Sequence, residues 1–293
     1  MSRFRNLAIA FILTVTTFSA RAEKFIRVEK DDHSSRLQTA VTRYEKNGVS
    51  VDLIGAIHIA DKAYYETLEK RFKSYDALLF EMIGGERYGK AKQEINEAAE
   101  HLAENKEKDL SGLHKIYEMA AKFLNLSGQL ESIDYTAANF IHADLTYEEF
   151  GKMQKERGES LLGFAIKAAK AAPKPAKEPD AAKLLSAMLS GKSNLVKLEI
   201  VHTLGDADDQ IAAFTGANVI ISDRNQRCVD VMNREIIAGR KKIGIFYGAA
   251  HFPDMEKRLF DQGFKRTKQE WITAWDIPKK EMKPAVAVEK EAA

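Results

Sequence analysis

One local pattern occurs twice in this chain and limits the folds open to it. An apolar run is followed by Gly-x-x-His and then by a stretch with helical spacing, first at residues 55–58 and again at residues 248–251. Apolar runs of this length predict buried strands, and glycine lets the chain turn sharply where such a strand ends. The repeated pattern therefore predicts an α/β fold in which two strands each bring a histidine, His58 or His251, to the start of a helix.

The first copy of the pattern follows a predicted β-hairpin. Residues 41–44 and 49–54 are extended runs, and the pair between them, Asn47-Gly48, is typical of two-residue hairpin turns. The second of these strands leads directly into the turn that carries His58.

The same strand also begins a predicted βαβ unit. Asp61 is placed to cap a helix, and residues 76–83 form a compact apolar run with Glu81 near its carboxyl end. The helix carries apolar residues at helical spacing: Tyr64, Tyr65, Leu68 and Phe72. Because ligands of parallel sheets sit beyond the carboxyl ends of the strands, we expect His58 and Glu81 to be neighbours.

The middle of the chain predicts a helical insertion. Residues 90–122 are rich in Ala, Glu, Lys and Leu, and further helices are expected over residues 146–172 and 181–204. Three prolines mark residues 170–181 as a loop. This loop is either a mobile lid or a tolerated surface insertion.

A further helix is predicted to begin near Ser222-Asp223 and to end at Gly239. Its inward-facing residues are expected to be Val229, Met232, Ile236 and Ile237.

The second Gly-x-x-His follows another predicted buried strand, at residues 242–247. The helix after it is expected to open at Pro253 and close at Gly263. Residues 268–277 alternate like a terminal strand, whereas residues 278–293 contain too little apolar surface to pack, which predicts disorder.

Composition indicates a folded domain and excludes several partners. Hydrophobic residues make up 45% of the chain and charged residues 30%, and the 45 basic and 43 acidic residues lack the basic stripe that nucleic acid requires. Cys228 is the only cysteine, which excludes an intramolecular disulfide and a cysteine-rich zinc site. We expect one α/β domain over residues 23–277, with a mainly parallel sheet flanked by helices.

The first 22 residues have the features of a secretory signal peptide. Arg3 and Arg5 precede an apolar run at residues 7–18, and small residues at positions 20 and 22 stand where a signal peptidase cuts. The apolar run is shorter than a membrane-spanning helix, which disfavours an uncleaved anchor. The sequence therefore predicts cleavage after Ala22 and a periplasmic or secreted protein without stable membrane insertion.

The two histidines and the glutamate suggest a metal site. An ionised carboxylate in an apolar strand is costly unless it meets a cation, a metal or hydrogen-bond donors. Two imidazoles and one carboxylate are a typical ligand set for a divalent ion such as Mn²⁺ or Zn²⁺. We therefore predict that His58, Glu81 and His251 hold a divalent metal. The alternatives are buried structural histidines and a water-exposed glutamate at the strand end.

A second histidine and acid could complete this site. His142 and Asp144 are two residues apart, a spacing that aims both side chains the same way from an extended segment. We expect His142 to be a further metal ligand and Asp144 a catalytic residue. Alternatively, Asp144 or Thr146 caps the helix that begins near Tyr147.

Arg224 and Asn225 fall in the first turn of a predicted helix, where the helix dipole disfavours an arginine. This mild misfit suggests a role in the site. Arg224 could bind a carboxylate or stabilise a developing oxyanion, and Asn225 could orient a ligand. The alternative for Arg224 is a surface salt bridge.

Taken in order, these residues resemble the TraB/GumN family, which includes the PrgY proteins and the TIKI proteases. The resemblance runs from about residue 49 to residue 275 and rests on both Gly-x-x-His segments, Glu81, Phe-Ile-His-Ala-Asp-Leu at 140–145 and Asp-Arg-Asn at 223–225. It implies a fold shared with ChaN-like and erythromycin-esterase-like proteins, and in TIKI relatives the corresponding cleft is a metal-dependent protease site. Asp223 departs from the glutamate often found in the family.

The residues and the resemblance together predict an exported metal-dependent hydrolase of peptidase type, acting on a peptide or small-molecule substrate. In this hypothesis the metal activates water, Arg224 stabilises the oxyanion and Asn225 orients the substrate. The alternative is a non-catalytic envelope protein that binds or sequesters a peptide or a metal complex in the same cleft. An inert structural domain would require both Gly-x-x-His segments to be coincidental.

Overall fold

A computed structural model describes most of the predicted domain. The described residues are 25–85, 118–159, 163, 186–187, 189–204 and 218–279. The predicted signal peptide, the proline-rich loop, most of the helix predicted over residues 90–122 and the tail beyond residue 279 lie outside them.

The predicted hairpin is confirmed and is longer than expected. Strand β1 (Ile26–Lys30) precedes β2 (Ser34–Lys46) and β3 (Val49–Ala56). Asn47 and Gly48 both have positive φ, 50° and 76°, which gives the two-residue turn a twist that matches the strands. β2 begins at its serine rather than at residue 41 because its first half pairs with β1.

Seven strands among the described residues form one mixed sheet. The strands after β3 are β4 (Ile59–Ala60), β5 (Ala77–Phe80), β6 (Ser127–Gly128), β7 (Phe140–His142), β8 (Lys242–Gly248) and β9 (Lys265–Pro278). The sheet runs β1-β2-β3-β8-β5-β7 with β9 also on β2, and β4 and β6 form a separate ribbon. The α/β class is confirmed. The sheet is mixed rather than mainly parallel, because β2 pairs antiparallel with β1, β3 and β9.

The predicted βαβ unit is present, but another strand lies inside it. Helix α1 (Lys62–Phe72) follows β3 and buries the four apolar residues predicted, and Glu81 comes directly after the buried β5. However, β8 lies between β3 and β5 and pairs with both. The expectation that His58 and Glu81 follow neighbouring strands is therefore wrong. The strand beside Glu81 is the one that leads to His251, and local spacing does not reveal a strand inserted from far along the chain.

The helices predicted in the middle segment are each interrupted at a glycine. Helix α2 (Tyr147–Arg157) ends at Gly158, whose φ of 63° is left-handed, and residues 160–162 and 164–172 of this prediction lie outside the described residues. In the second prediction residues 186, 187 and 189 are helical, and a turn in which Gly191 has a φ of 66° separates them from helix α3 (Ser193–Leu204). Both boundaries lie at glycines, so backbone freedom at these two positions outweighs the helical composition around them.

Helical structure begins earlier than predicted in the last third of the chain. A π-helical turn at Val219–Asp223 leads into helix α4 (Arg224–Ile237). Val229 and Met232 are buried as predicted, but Ile237 is 86% exposed, so its inward assignment is wrong. Successive positions on a helix lie about 100° apart, and only its neighbour Ile236 packs against the core.

The second Gly-x-x-His has the predicted context. β8 leads through a 3₁₀ turn at Ala249–His251 into helix α5 (Phe252–Asp261). Pro253 lies in the first turn of α5, and Gly263 has a φ of 84° just beyond its end.

Helices cover both faces of the sheet. On one face α1 packs against apolar side chains of β5 and β8 such as Leu78 and Phe246. On the other face α4 and α5 pack against side chains such as Leu53 and Ile245. Trp275 of the terminal strand β9 is buried in the core. Across the described residues, no helix is long and apolar enough to cross a membrane.

Candidate functional site

The predicted site residues lie where four strands end at one edge of the sheet. β3, β8, β5 and β7 are parallel, so their carboxyl ends share this edge. His58, His251 and Glu81 follow three of these strands, and His142 ends the fourth. Open α/β sheets bind their ligands beyond this edge, so the position fits a functional site.

Arg224 is the centre of a buried ionic network. Its Nη2 donates to Glu81 Oε1 at 2.7 Å and to Asp144 Oδ2 at 2.5 Å, and its Nε donates to Asp144 Oδ1 at 2.9 Å. The two bonds to Asp144 form the bidentate pair that guanidinium and carboxylate favour. The side chain of Arg224 is 9% exposed, that of Asp144 0% and that of Glu81 18%. A surface salt bridge is therefore the wrong interpretation of Arg224.

Opposite charges keep both ends of this network ionised. Burial by itself would raise the pKa of Glu81, but Arg224 and His251 hold that pKa well below its usual value. Burial also opposes the charge of Arg224, yet the two neighbouring carboxylates raise its pKa. The second carboxylate oxygen of Glu81, Oε2, accepts the backbone N–H of Gly248 at 2.6 Å. Both oxygens of Glu81 are thus occupied.

The π-helical turn positions Arg224 and Asn225 at the strand ends. Asn218 caps this turn, since its Oδ1 accepts the backbone N–H of Ile221 at 2.7 Å. The Nη1 of Arg224 lies 3.4 Å from the carbonyl oxygen of Ile220 in the same turn. Such turns widen the helix locally and recur at functional sites. Here the turn joins the core beneath α2 to the first residues of α4.

Asn225 fixes a proton on Nδ1 of His251. The Nδ2 of Asn225 donates to the carbonyl oxygen of His251 at 3.0 Å and to Asp254 Oδ2 at 2.8 Å. Its Oδ1 is therefore left to accept from His251 Nδ1, at 2.6 Å, so this ring nitrogen carries a proton. The other nitrogen, Nε2, faces Glu81 Oε1 at 3.4 Å and Arg224 Nη1 at 3.5 Å.

Three members of this cluster, Asp254, Arg258 and Tyr247, were not predicted from the sequence. Asp254 holds the amide of Asn225 and also accepts from Arg258 Nε at 2.6 Å. Tyr247 packs edge-on against the ring of His251, with centroids 5.2 Å apart. An acid and an arginine four residues apart directly after Gly-x-x-His was a usable signal for Asp254 and Arg258. Tyr247 is indistinguishable by sequence from any other residue of an apolar strand.

His142 and Asp144 meet different partners. The Nε2 of His142 bonds to the carbonyl oxygen of Met82 at 2.7 Å, whereas both oxygens of Asp144 bond to Arg224. The prediction that both side chains point the same way is wrong. β7 ends at His142, so the alternation of an extended strand does not continue to Asp144. Thr146, and not Asp144, caps α2.

His58 lies at the same edge in a different setting. Its side chain is exposed and lines a pocket of about 320 Å³ together with Lys122 and Gln129. Its carbonyl oxygen accepts the backbone N–H of Gln129 at 2.8 Å, which ties it to the β4–β6 ribbon. His251 is only 3% exposed. The two Gly-x-x-His segments therefore supply one accessible and one buried imidazole.

The predicted metal ligands do not form one set in this arrangement. Among the described residues, no group of three or more His, Cys, Asp or Glu side chains is placed to hold a metal ion. His58 lines the pocket and His142 bonds to a backbone carbonyl, while Glu81 has both oxygens occupied. The guanidinium of Arg224 also lies beside His251 Nε2. As arranged, the donors around Glu81 do not fit a divalent ion.

Comparisons with protein families, curated proteins and solved structures found no match. The resemblance to the TraB/GumN family therefore stays a prediction from its motifs. Function rests on the chemistry of the site itself.

Proposed function

We propose that this chain is an exported hydrolase that cleaves a peptide at the carboxyl edge of its sheet. The observation that carries the proposal is the buried network of Glu81, Arg224 and Asp144 at the strand ends. His251 contacts this network, and the exposed His58 follows β3, the strand next to the one that leads to His251. Buried ion pairs are weak stabilisers compared with apolar packing, and strongly perturbed ionisable groups concentrate at functional sites. Export rests on the predicted signal peptide.

His58 is assigned as the general base. Peptide hydrolysis needs a group that takes a proton from the attacking water and donors that stabilise the oxyanion on the carbonyl. His58 is exposed beside a pocket, so substrate and water can reach it together. His251 is buried, with Nδ1 bonded to Asn225 and Nε2 facing Glu81 and Arg224. In this proposal His251 supports the network instead of reacting.

Arg224 is assigned to the oxyanion through Nη1. The Nη2 and Nε of Arg224 are held by carboxylates at 2.5 to 2.9 Å, whereas Nη1 has only long contacts, 3.4 Å to Ile220 and 3.5 Å to His251. The hydrogens on Nη1 are thus the least firmly held and the most available to a substrate oxygen. Asp144 and Asn225 become positioning residues, since one orients Arg224 and the other orients His251.

No step of this proposal uses a metal ion, because the donors around Glu81 do not fit one as arranged. Water adds to the carbonyl carbon as His58 takes its proton, and Arg224 holds the charge on the carbonyl oxygen. The C–N bond then breaks as the carbonyl re-forms, and the protonated His58 returns the proton to the leaving amine.

The test is cleavage of a quenched-fluorescent peptide library by the wild type and the His58→Ala variant. We expect His58→Ala to lower kcat/KM by about 10²- to 10⁴-fold, the usual contribution of a general base. The matched control is His33→Ala, which removes another exposed histidine, on the turn between β1 and β2, and should leave the rate unchanged. Cleavage by His58→Ala at the wild-type rate would contradict the base assignment, and no cleavage of any peptide by the wild type would contradict the proposed hydrolase.

A non-catalytic binding protein is the second candidate, and one observation favours it. Arg224 bonds to both carboxylates inside the protein, and the carboxylate of Asp144 has no exposure at all. A closed network of this kind gives a rigid wall for a binding cleft. Saturable binding of library peptides that are recovered uncleaved, measured by fluorescence anisotropy, would favour this candidate over the hydrolase.

A further inference from the structure

We propose that the guanidinium of Arg224 occupies the position that a metal ion would take. Glu81, Asp144 and His251 therefore bind a divalent ion only when the Arg224 side chain is removed. This inference does not depend on the proposed hydrolysis, because it concerns only what the cluster binds.

Two carboxylates and one imidazole surround the guanidinium of Arg224. These are the donor types that Zn²⁺ and Mn²⁺ accept from proteins. The contacts to Glu81 and Asp144 are 2.7, 2.5 and 2.9 Å long, and His251 Nε2 lies 3.5 Å from Nη1. Metal–ligand bonds to oxygen and nitrogen are shorter, about 2.0–2.2 Å. The cluster is therefore spaced for a hydrogen-bonding cation.

Arg224 already offsets half of the carboxylate charge in the cluster. Glu81 and Asp144 bring two negative charges, and Arg224 offsets one of them while it bonds to both residues. A divalent ion added beside the guanidinium would be repelled by it. Once Arg224 is removed, two carboxylates face the vacated space, and a divalent charge would neutralise both.

Arg224 has little freedom to move aside for an ion. It is 7% exposed, and its Nη1 lies against the carbonyl oxygen of Ile220 in the π-helical turn. The next residue, Asn225, is fully buried and bonded to His251 and Asp254. Displacement of the guanidinium into solvent would break contacts on both sides of the cluster.

The test is titration of tag-free full-length protein with Zn²⁺ and with Mn²⁺, followed by calorimetry and by elemental analysis after dialysis. We expect Arg224→Ala to bind one ion per chain roughly 100-fold or more tightly than the wild type, because the repelling charge is gone and the donors remain. The double variant Arg224→Ala/Glu81→Gln should lose this gain. The matched control Arg157→Ala, which removes a more exposed arginine paired with Asp223, should behave as the wild type.

Two results would overturn the inference. One is a wild-type protein that holds a stoichiometric ion and loses it in Glu81→Gln or His251→Ala. The other is an Arg224→Ala variant that is folded by circular dichroism and gains no affinity. If Arg224→Ala is unfolded, the wild type and Glu81→Gln decide alone: an ion that depends on Glu81 refutes the inference, and no such ion supports it.

Discussion

Replacement of Arg224 by methionine tests whether the buried network holds the carboxyl edge of the sheet together. Arg224→Met keeps a long apolar stem but removes the three bonds to carboxylate oxygens, at 2.5, 2.7 and 2.9 Å. Asp144 is left without its cation at 0% side-chain exposure. Glu81 loses the main charge that keeps its pKa low.

The expected cost is large compared with the stability of an ordinary domain. Removal of one partner from a buried ion pair costs about 3–5 kcal/mol, because the remaining charge is desolvated without compensation. The two carboxylates left behind both bonded to the same nitrogen, so they also repel each other at short range. We expect the free energy of unfolding to fall by about 3–5 kcal/mol at pH 7. The loss should be smaller near pH 3, since protonation removes the unpaired charges.

Urea unfolding, followed by far-ultraviolet circular dichroism and by the fluorescence of the buried Trp275, measures this loss. The matched control is Arg157→Met. Its guanidinium is 38% exposed and pairs with Asp223 at 2.9 Å. An exposed pair of this kind contributes about 0–1 kcal/mol. A loss in Arg224→Met no larger than in the control would refute the reasoning that the substitution leaves two buried carboxylates without a compensating charge.

Three further predictions concern single contacts, each measured by urea unfolding. Because the pKa of Glu81 is lowered in the fold, its charge stabilises the fold at pH values above the unfolded pKa of about 4.3, and this stabilisation is lost as the pH falls through the lower folded pKa. The difference in unfolding free energy between the wild type and Glu81→Gln should therefore be constant from pH 6 to 8 and shrink towards about pH 3. A difference that does not depend on pH would contradict this. Thr146→Ala removes the capping box with Glu149 and should cost about 1 kcal/mol, while an unchanged midpoint would count against the cap. Gly244→Ala places a Cβ 2.5 Å from Leu78 Cδ1 and should cost about 1–3 kcal/mol, so a neutral effect would show that the core yields there.

Several elements of this fold follow from local sequence alone. Asn47-Gly48 predicts the hairpin turn because both residues tolerate positive φ, which is what the structure shows. Pro253 and Gly263 bracket α5 for similarly local reasons. Apolar runs place β5 and β8, and with them the positions of Glu81 and the second Gly-x-x-His at strand ends. In each case a few adjacent residues set the backbone angles or the burial.

The partners of the site residues could not be predicted in the same way. Glu81 was expected beside His58, but β8 comes from far along the chain and pairs between β3 and β5. Arg224 and Asp144 are 80 residues apart and meet only because α4 and the end of β7 reach the same edge of the sheet. Asp254 joins the cluster through Asn225, which no spacing connects to it. Each of these contacts depends on strand order, which periodicity does not encode.

The two histidines show most clearly where local sequence stops. Both stand at the end of the same Gly-x-x-His pattern, after a buried strand and before a helix, and the sequence determined that much for each. Only the tertiary structure decided that His251 is buried in a network with Glu81 and Arg224, whereas His58 is exposed beside a pocket. Both strands lie inside the sheet, so the physical reason is what meets the chain after each strand. Asn225 of α4 bonds to His251, and Glu81 after the neighbouring β5 faces it. The chain after β3 instead enters the short β4–β6 ribbon. Burial is set by neighbours from distant segments, and a local pattern contains no record of them.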